Sequence, residues 1–414
     1  MKILFIHPNY PSQFRRLAPR LVEMGHDVIF LAGKREWHAP DPLPGLKLKP
    51  YQCHRSGGSE LLHPYLRRFD QAVLEGQAVF RSCAELSKEG WQPDWIINHV
   101  GFGAGLYVRD IFPSARRAAL FEWYYNSEGS DVDFLNCGPV EPDRRLRLRT
   151  WNAQTLIELA DADLAVTPTF WQQQQFPAWM RQRLKVIHEG IDWSKLQHLS
   201  RSDHQAWPGC PKDAEIVTYV SRGFEEYRGF PQAMKALAQL QRMRPKVQVL
   251  IAGSDLVAYG AGRSDGRSWQ KWAQDEAGLD RDRTHWLGAL QTSDYHRLLQ
   301  ASHVHLYLTI PFVLSWSLLE AMSAGCSIVS SSTPPVEEMI TSGEHGLLCD
   351  FFDHDQQAQA MNLLLDDRVL AKTLGIASQA RAKHYDSELG LKAWCAHLSS
   401  ASDSAPEPSC QPVS

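Results

Sequence analysis

Residues 312–329 read FVLSWSLLEAMSAGCSIV. The apolar run at 304–308 before them predicts a strand, and 327–330 predicts the next one. Between the two strands lies a loop and then a helix over 317–324. Gly325 closes that helix, because glycine readily takes the left-handed conformation just past a last helical turn. This succession is the repeating unit of a parallel sheet covered by helices. The start of such a helix presents unpaired N–H groups and a partial positive charge, which suits a phosphate. Glu320 lies about one turn in, where its carboxylate can take two hydroxyls of a ribose. A solvated glutamate on an ordinary helix is the alternative reading.

The same alternation extends in both directions. Strands are predicted at 2–6, 27–31, 94–98, 118–121, 164–167 and 185–188, and again at 216–221, 247–252, 284–287 and 346–349. Helices fit 230–243, 292–300, 335–342 and 356–366, and 368–398 reads as mainly helical. Segment 196–213 is polar, with Pro208, Gly209 and Pro211, and predicts a linker. The pattern predicts a domain over 1–195, a second over 196–384, a helix over 385–398, and a disordered Ser- and Pro-rich tail over 399–414. Two doubly wound domains would place the carboxyl ends of their strands at a shared central cleft, where ligands of open α/β sheets bind.

Composition narrows the function classes. The chain has 414 residues, 43% hydrophobic and 22% charged, which fits two soluble globular domains. Its net charge is −4, split as +1 through Asp192 and −5 after it, so neither half has the basic field of a dedicated nucleic-acid binder. The eight cysteines include no C-x-x-C pair, which argues for free thiols and against a zinc site. The apolar run at the start, MKILFI, is too short for a signal peptide. The expected location is the cytoplasm, with peripheral contact at the inner face of a membrane left open. Arg144, Arg145, Arg147 and Arg149 would face such a surface or an anionic acceptor, or simply solvent.

Several pieces fall in a telling order. VIHEGID at 186–192 is followed by YVSR at 219–222, RGF at 228–230, LIAG at 250–253, LEAMSAG at 319–325 and SGEHGLL at 342–348. Together, over about residues 1–398, they resemble the family-4 retaining glycosyltransferases of the GT-B fold, whose signature pairs two glutamates around a loop and helix. The resemblance implies a metal-independent sugar transfer from a UDP-, GDP- or ADP-sugar, with no further cofactor, to a glycan, lipid or protein acceptor. It also implies a last helix that crosses back to the first domain, and front-face attack without a protein nucleophile.

Residue by residue, the resemblance makes Arg222 and Arg228 the pair that neutralises the donor diphosphate. Leu314, Ser315 and Trp316 would cradle it through backbone N–H groups. Glu320 would hold the ribose, and Gly253 and Ser254 would line the base pocket. His7, Asn9, Tyr10, Trp123 and Tyr124 would meet the acceptor, with Glu122 and His99 as further catalytic candidates. Three positions depart from the family pattern. Phe312 stands where the first glutamate is expected, HPNYP at 7–11 replaces a glycine-rich loop, and Glu122 stands where a histidine is common. Phe312 keeps two alternatives in view: a nucleotide-sugar epimerase, and a non-catalytic protein that binds a sugar nucleotide or glycan.

Overall fold

The computed structural model describes residues 1–33, 44–135, 138–199 and 207–400. Contacts divide the chain into two units. The first holds Met1–Tyr125, Glu141–Gly190 and the chain from Ser387 onward. The second holds Asn126–Val140 and Ile191–Asp386. The segment between Tyr125 and Glu141 thus belongs to the second unit, although it lies inside the expected first domain. Residues 200–206 of the expected linker, and 401–414 of the expected tail, lie outside the described residues.

The first unit is a seven-stranded parallel sheet. Its strands are β1 (Lys2–His7), β2 (Asp27–Gly33), β3 (Leu46–Tyr51), β4 (Trp95–His99), β5 (Arg116–Leu120), β6 (Leu164–Thr167) and β7 (Leu184–Val186). The spatial order is β3-β2-β1-β4-β5-β6-β7. Ile3, Leu4, Phe5 and Ile6 are all fully buried, as befits a parallel strand covered on both faces. Ile3, Phe5, Val28 and Phe30 face one layer, built from helix Leu17–Glu23 and from Leu391, Trp394 and Leu398 of the last helix, Ser387–Ser400. Leu4, Ile6, Ile29 and Leu31 face the other layer, where Ala78, Val79, Cys83 and Leu86 of helix Arg67–Lys88 pack.

The second unit repeats the plan with six parallel strands. These are β8 (Glu215–Gly223), β9 (Val247–Ser254), β10 (Thr284–Gly288), β11 (Val304–Tyr307), β12 (Ile328–Ser331) and β13 (Leu347–Cys349). Their order is β10-β9-β8-β11-β12-β13. Helix Phe230–Met243 buries Phe230, Met234, Leu237 and Leu240 against Val217, Val249 and Leu306. Each sheet has one place where the order of strands reverses: between β1 and β4, and between β8 and β11. Loops leaving adjacent strands diverge there, which opens a crevice at the carboxyl ends. Among the described residues no helix is long and apolar enough to cross a membrane.

Candidate functional site

In the second unit the crevice between β8 and β11 gathers the residues of the phosphate motif. The pairing of β8 with β9 slips between Val220 and Gly223, so Ser221 and Arg222 bulge from the ladder. Gly253 makes the bulge possible. Its φ is +147°, and a Cβ there would come within 2.1 Å of the Ser221 carbonyl oxygen. Ser254 follows, and its carbonyl accepts the N–H groups of Phe224 and Leu256. Arg222 is exposed, and among the described residues it has no hydrogen bond or ion pair.

Arg228 is different. It is only 7% exposed. Its Nη1 donates to Thr309 Oγ1 at 3.0 Å and to the Val313 carbonyl at 2.9 Å. The Tyr259 ring covers the guanidinium at 5.4 Å. Both hydrogens of Nη1 are thereby used on the protein's own acceptors, and the Tyr307 hydroxyl also lies against the guanidinium. No carboxylate among the described residues pairs with this buried cation. Burying an unpaired charge is costly, so the arrangement is one that an anion completes.

The loop after β11 is tied to the same crevice. The Ser315 N–H donates to the Tyr307 hydroxyl at 3.0 Å, and Ser315 Oγ caps helix Trp316–Ser323 by accepting the Ser317 N–H. The expected phosphate cradle at Leu314, Ser315 and Trp316 is corrected in this respect: the Ser315 amide is already engaged. Glu320 is half-buried on the helix. Burial first, and the Glu320 carboxylate next, push the neighbouring Tyr295 hydroxyl well above its usual range. Phe312 packs between Tyr227 at 5.1 Å and Tyr259 at 5.3 Å, so the place of the family's first glutamate is an aromatic cluster.

In the first unit the reversal between β1 and β4 brings two predicted residues together. His7 ends β1 and His99 ends β4, and His7 Nε2 lies 3.1 Å from His99 Nδ1. His7 Nδ1 sits 2.9 Å from the Asn9 amide nitrogen. Glu122, just past β5, faces His99 Nε2 at 3.6 Å. Gln13 Nε2 donates to Glu122 Oε1 at 3.2 Å, and Gln172 Nε2 to the Glu122 carbonyl at 2.8 Å. Burial, with His7 adding to it, holds the His99 imidazole well below the usual histidine range. It is therefore neutral at pH 7. The tautomer that carries its hydrogen on Nε2 presents that hydrogen to the carboxylate.

Three of the residues expected on the acceptor side pack inward. His7 is 1% exposed and His99 2%, and the two rings contact each other through His7 Nε2 and His99 Nδ1. Tyr10 turns its ring edge onto Phe30 of the sheet core at 5.0 Å. Tyr124 also leans inward, 5.6 Å from Phe176, and burial pushes its hydroxyl up. Trp123 is half-buried and Asn9 exposed. Gln13, Thr309, Tyr259 and Glu225 escaped the sequence reading. Nothing local marks them, because their partners lie far away in the chain. Among the described residues no three His, Cys, Asp or Glu side chains cluster as metal ligands.

This architecture has known counterparts. Sucrose-phosphate synthase from Thermosynechococcus elongatus superposes with a TM-score of 0.73 at 19% identity, covering 98% of this chain and 100% of that one. The Anabaena HepE protein, solved in complex with UDP and glucose, gives 0.68 at 17% identity, covering 97% and 100%. The protein has the GT-B fold. Two family models match in succession: Glycosyl transferase family 4 group over residues 24–196, and Glycosyl transferases group 1 over 200–381. The chain belongs to the group 1, family 4 glycosyltransferases. It is 25% identical over 380 residues to a phosphatidyl-myo-inositol mannosyltransferase of Mycolicibacterium smegmatis, covering 91% of this chain and 86% of that protein. It is 26% identical over 409 residues to a glycogen synthase of Mycobacterium tuberculosis, covering 92% and 90%.

Proposed function

We propose that this glycosyltransferase moves a sugar from a nucleoside diphosphate sugar to a hydroxyl acceptor with retention of anomeric configuration. The second unit takes the donor. The observation that carries the reading is Arg228, a buried cation braced by Thr309 and Val313 and lacking a carboxylate partner among the described residues. As the sugar departs, negative charge grows on the diphosphate. Arg228 and the exposed Arg222 meet that charge, and in this reading they do so without a metal. Glu320 holds the ribose, and the backbone at Gly253 and Ser254 borders the base.

UDP is the first base to try, because HepE was solved with UDP and glucose. Two relatives act, by name, on phosphatidyl-myo-inositol and on glycogen. That supports a polyhydroxylated acceptor, on a lipid or a glycan. The first unit receives it near Glu122, whose carboxylate is fixed by His99 and Gln13 and can accept a hydrogen bond from the attacking hydroxyl.

The test is thermal stabilisation by UDP, GDP, ADP and their common sugars. A ligand at 100 times its Kd raises stability by about 2.7 kcal/mol. A shift with one base that is lost in Arg228→Ala and reduced in Arg222→Ala supports the donor site. No shift with any nucleotide overturns it. Phe312, packed on Tyr227 and Tyr259, favours one second reading, a binding protein without turnover. Release of free sugar or transfer to any acceptor excludes that reading.

A further inference from the structure

Three residues before Arg228 lies Glu225, whose side chain is fully buried. It does not serve as a counter-ion. One oxygen, Oε2, accepts three backbone N–H groups in succession: Ala258 at 3.1 Å, Tyr259 at 2.8 Å and Gly260 at 2.9 Å. The other oxygen is buried and makes no hydrogen bond among the described residues. Consecutive N–H groups that converge on one point form an anion-binding nest, so a carboxylate is the natural group to hold that loop. Gly260 packs closely against the Tyr227 ring. A Cβ there would meet the Tyr227 ring at 3.1 Å and Glu225 Oε2 at 3.6 Å.

The loop so held carries Tyr259 onto the Arg228 guanidinium and against Phe312. Thr309 and the Val313 carbonyl fix one edge of Arg228, and the Tyr259 ring fixes its face. Resting on the donor reading above, we propose that Glu225 and Tyr259 form a latch that sets the plane of Arg228, so that the part of its fork not held by Thr309 and Val313 meets the donor's diphosphate. Glu225 is a positioning residue. Tyr259 determines how well the site tells a diphosphate from a monophosphate. A planar fork gains most from a fixed plane when it has two phosphate oxygens to bridge.

The test uses full-length protein and calorimetric titration with UDP, GDP and ADP and the matching monophosphates. Hydrogen exchange of residues 255–262 is followed in parallel. Glu225→Gln and Tyr259→Ala are each expected to weaken the bound diphosphate about tenfold and the monophosphate less than twofold. Tyr259→Phe, which keeps the ring, should bind like wild type. The double variant should be no weaker than either single one, because both changes cut the same linkage. Glu225→Gln should also speed exchange at 258–260, while Tyr259→Ala, at a half-exposed position, leaves the fold intact. Equal weakening of diphosphate and monophosphate overturns the latch, as do losses that multiply in the double variant. Variants indistinguishable from a wild type that binds diphosphate overturn this proposal alone. A wild type that binds no nucleotide overturns the donor reading and the latch with it.

Discussion

His7 and His99 come from strands 92 residues apart in sequence, yet their rings lie nearly parallel, with centroids 5.2 Å apart and nitrogens 3.1 Å apart. Both are buried, and the pair ends at the Glu122 carboxylate. Two imidazoles this close cannot both carry charge at low cost. His99 is thus the neutral member that faces one carboxylate at the edge of a sheet.

That neutrality predicts an acid sensitivity. Burial, reinforced by His7, depresses the folded-state pKa of His99. Its contribution to stability is therefore complete above the unfolded value near 6.5 and is lost as pH falls from there toward the folded pKa. The loss for this one group reaches at most about 1.4 kcal/mol per pH unit. Urea midpoints measured between pH 8 and pH 5 should fall for wild type and fall less steeply for His99→Gln. Equal slopes would refute the assignment.

A second buried group predicts a mutational asymmetry. Arg117 Nη2 donates to Glu158 Oε2 at 2.7 Å, and Asn98 Nδ2 donates to the same oxygen at 2.8 Å, with both charged side chains buried. Glu158→Leu leaves the buried Arg117 guanidinium with only the longer contact to Asp161, at 3.4 Å, as a carboxylate partner, and should cost up to about 3–5 kcal/mol. Adding Arg117→Met should recover most of that loss. Chemical denaturation of the single and double variants measures both effects.

Gly253→Ala tests the bulge. The added Cβ would collide with the Ser221 carbonyl at 2.1 Å, at a φ that side chains avoid. A cost of about 1–3 kcal/mol follows for the backbone strain. Because Ser221 precedes Arg222, nucleotide stabilisation should also fall, which thermal melts with and without UDP would read.

Arg228→Lys tests the difference between a fork and a point charge. Lysine keeps the cation but cannot bridge Thr309 and the Val313 carbonyl while lying flat under Tyr259. Diphosphate affinity should drop about tenfold. Arg222→Lys, at an exposed position, should cost less than threefold. The reverse ranking in a titration would place the main phosphate contact on Arg222.

Much of this fold could be read along the chain because its strands are buried runs. Residues 164–167 and the helix over 230–243 were legible to the residue, since apolar side chains there recur with a single clear period. β3 was not. Leu46-Lys47-Leu48-Lys49-Pro50-Tyr51 is an edge strand, partly exposed, with a proline that only an edge tolerates. In the site, Arg228 stood out through the family resemblance at the start of a helix, and His99 and Glu122 because they follow predicted strands. The roles of His7 and Glu225 were invisible. His7 sits in the same loop signal as Asn9, and only packing shows which is covered. Glu225 looks identical to Glu226 beside it, while the three amides it holds lie 33–35 positions further on.

The last helix has a consequence for how the protein is made. Leu391, Trp394 and Leu398 fill the layer over Ile3, Phe5 and Phe30, so the opening strands of the chain share a core with its final helix. A ribosome delivers those strands first and that helix only after the whole second unit has emerged. The first unit therefore waits, with part of one sheet face uncovered, through the synthesis of nearly two hundred residues. A chain cut short just after Asp386 has its second unit complete, while its first unit still exposes an apolar surface for chaperones to bind.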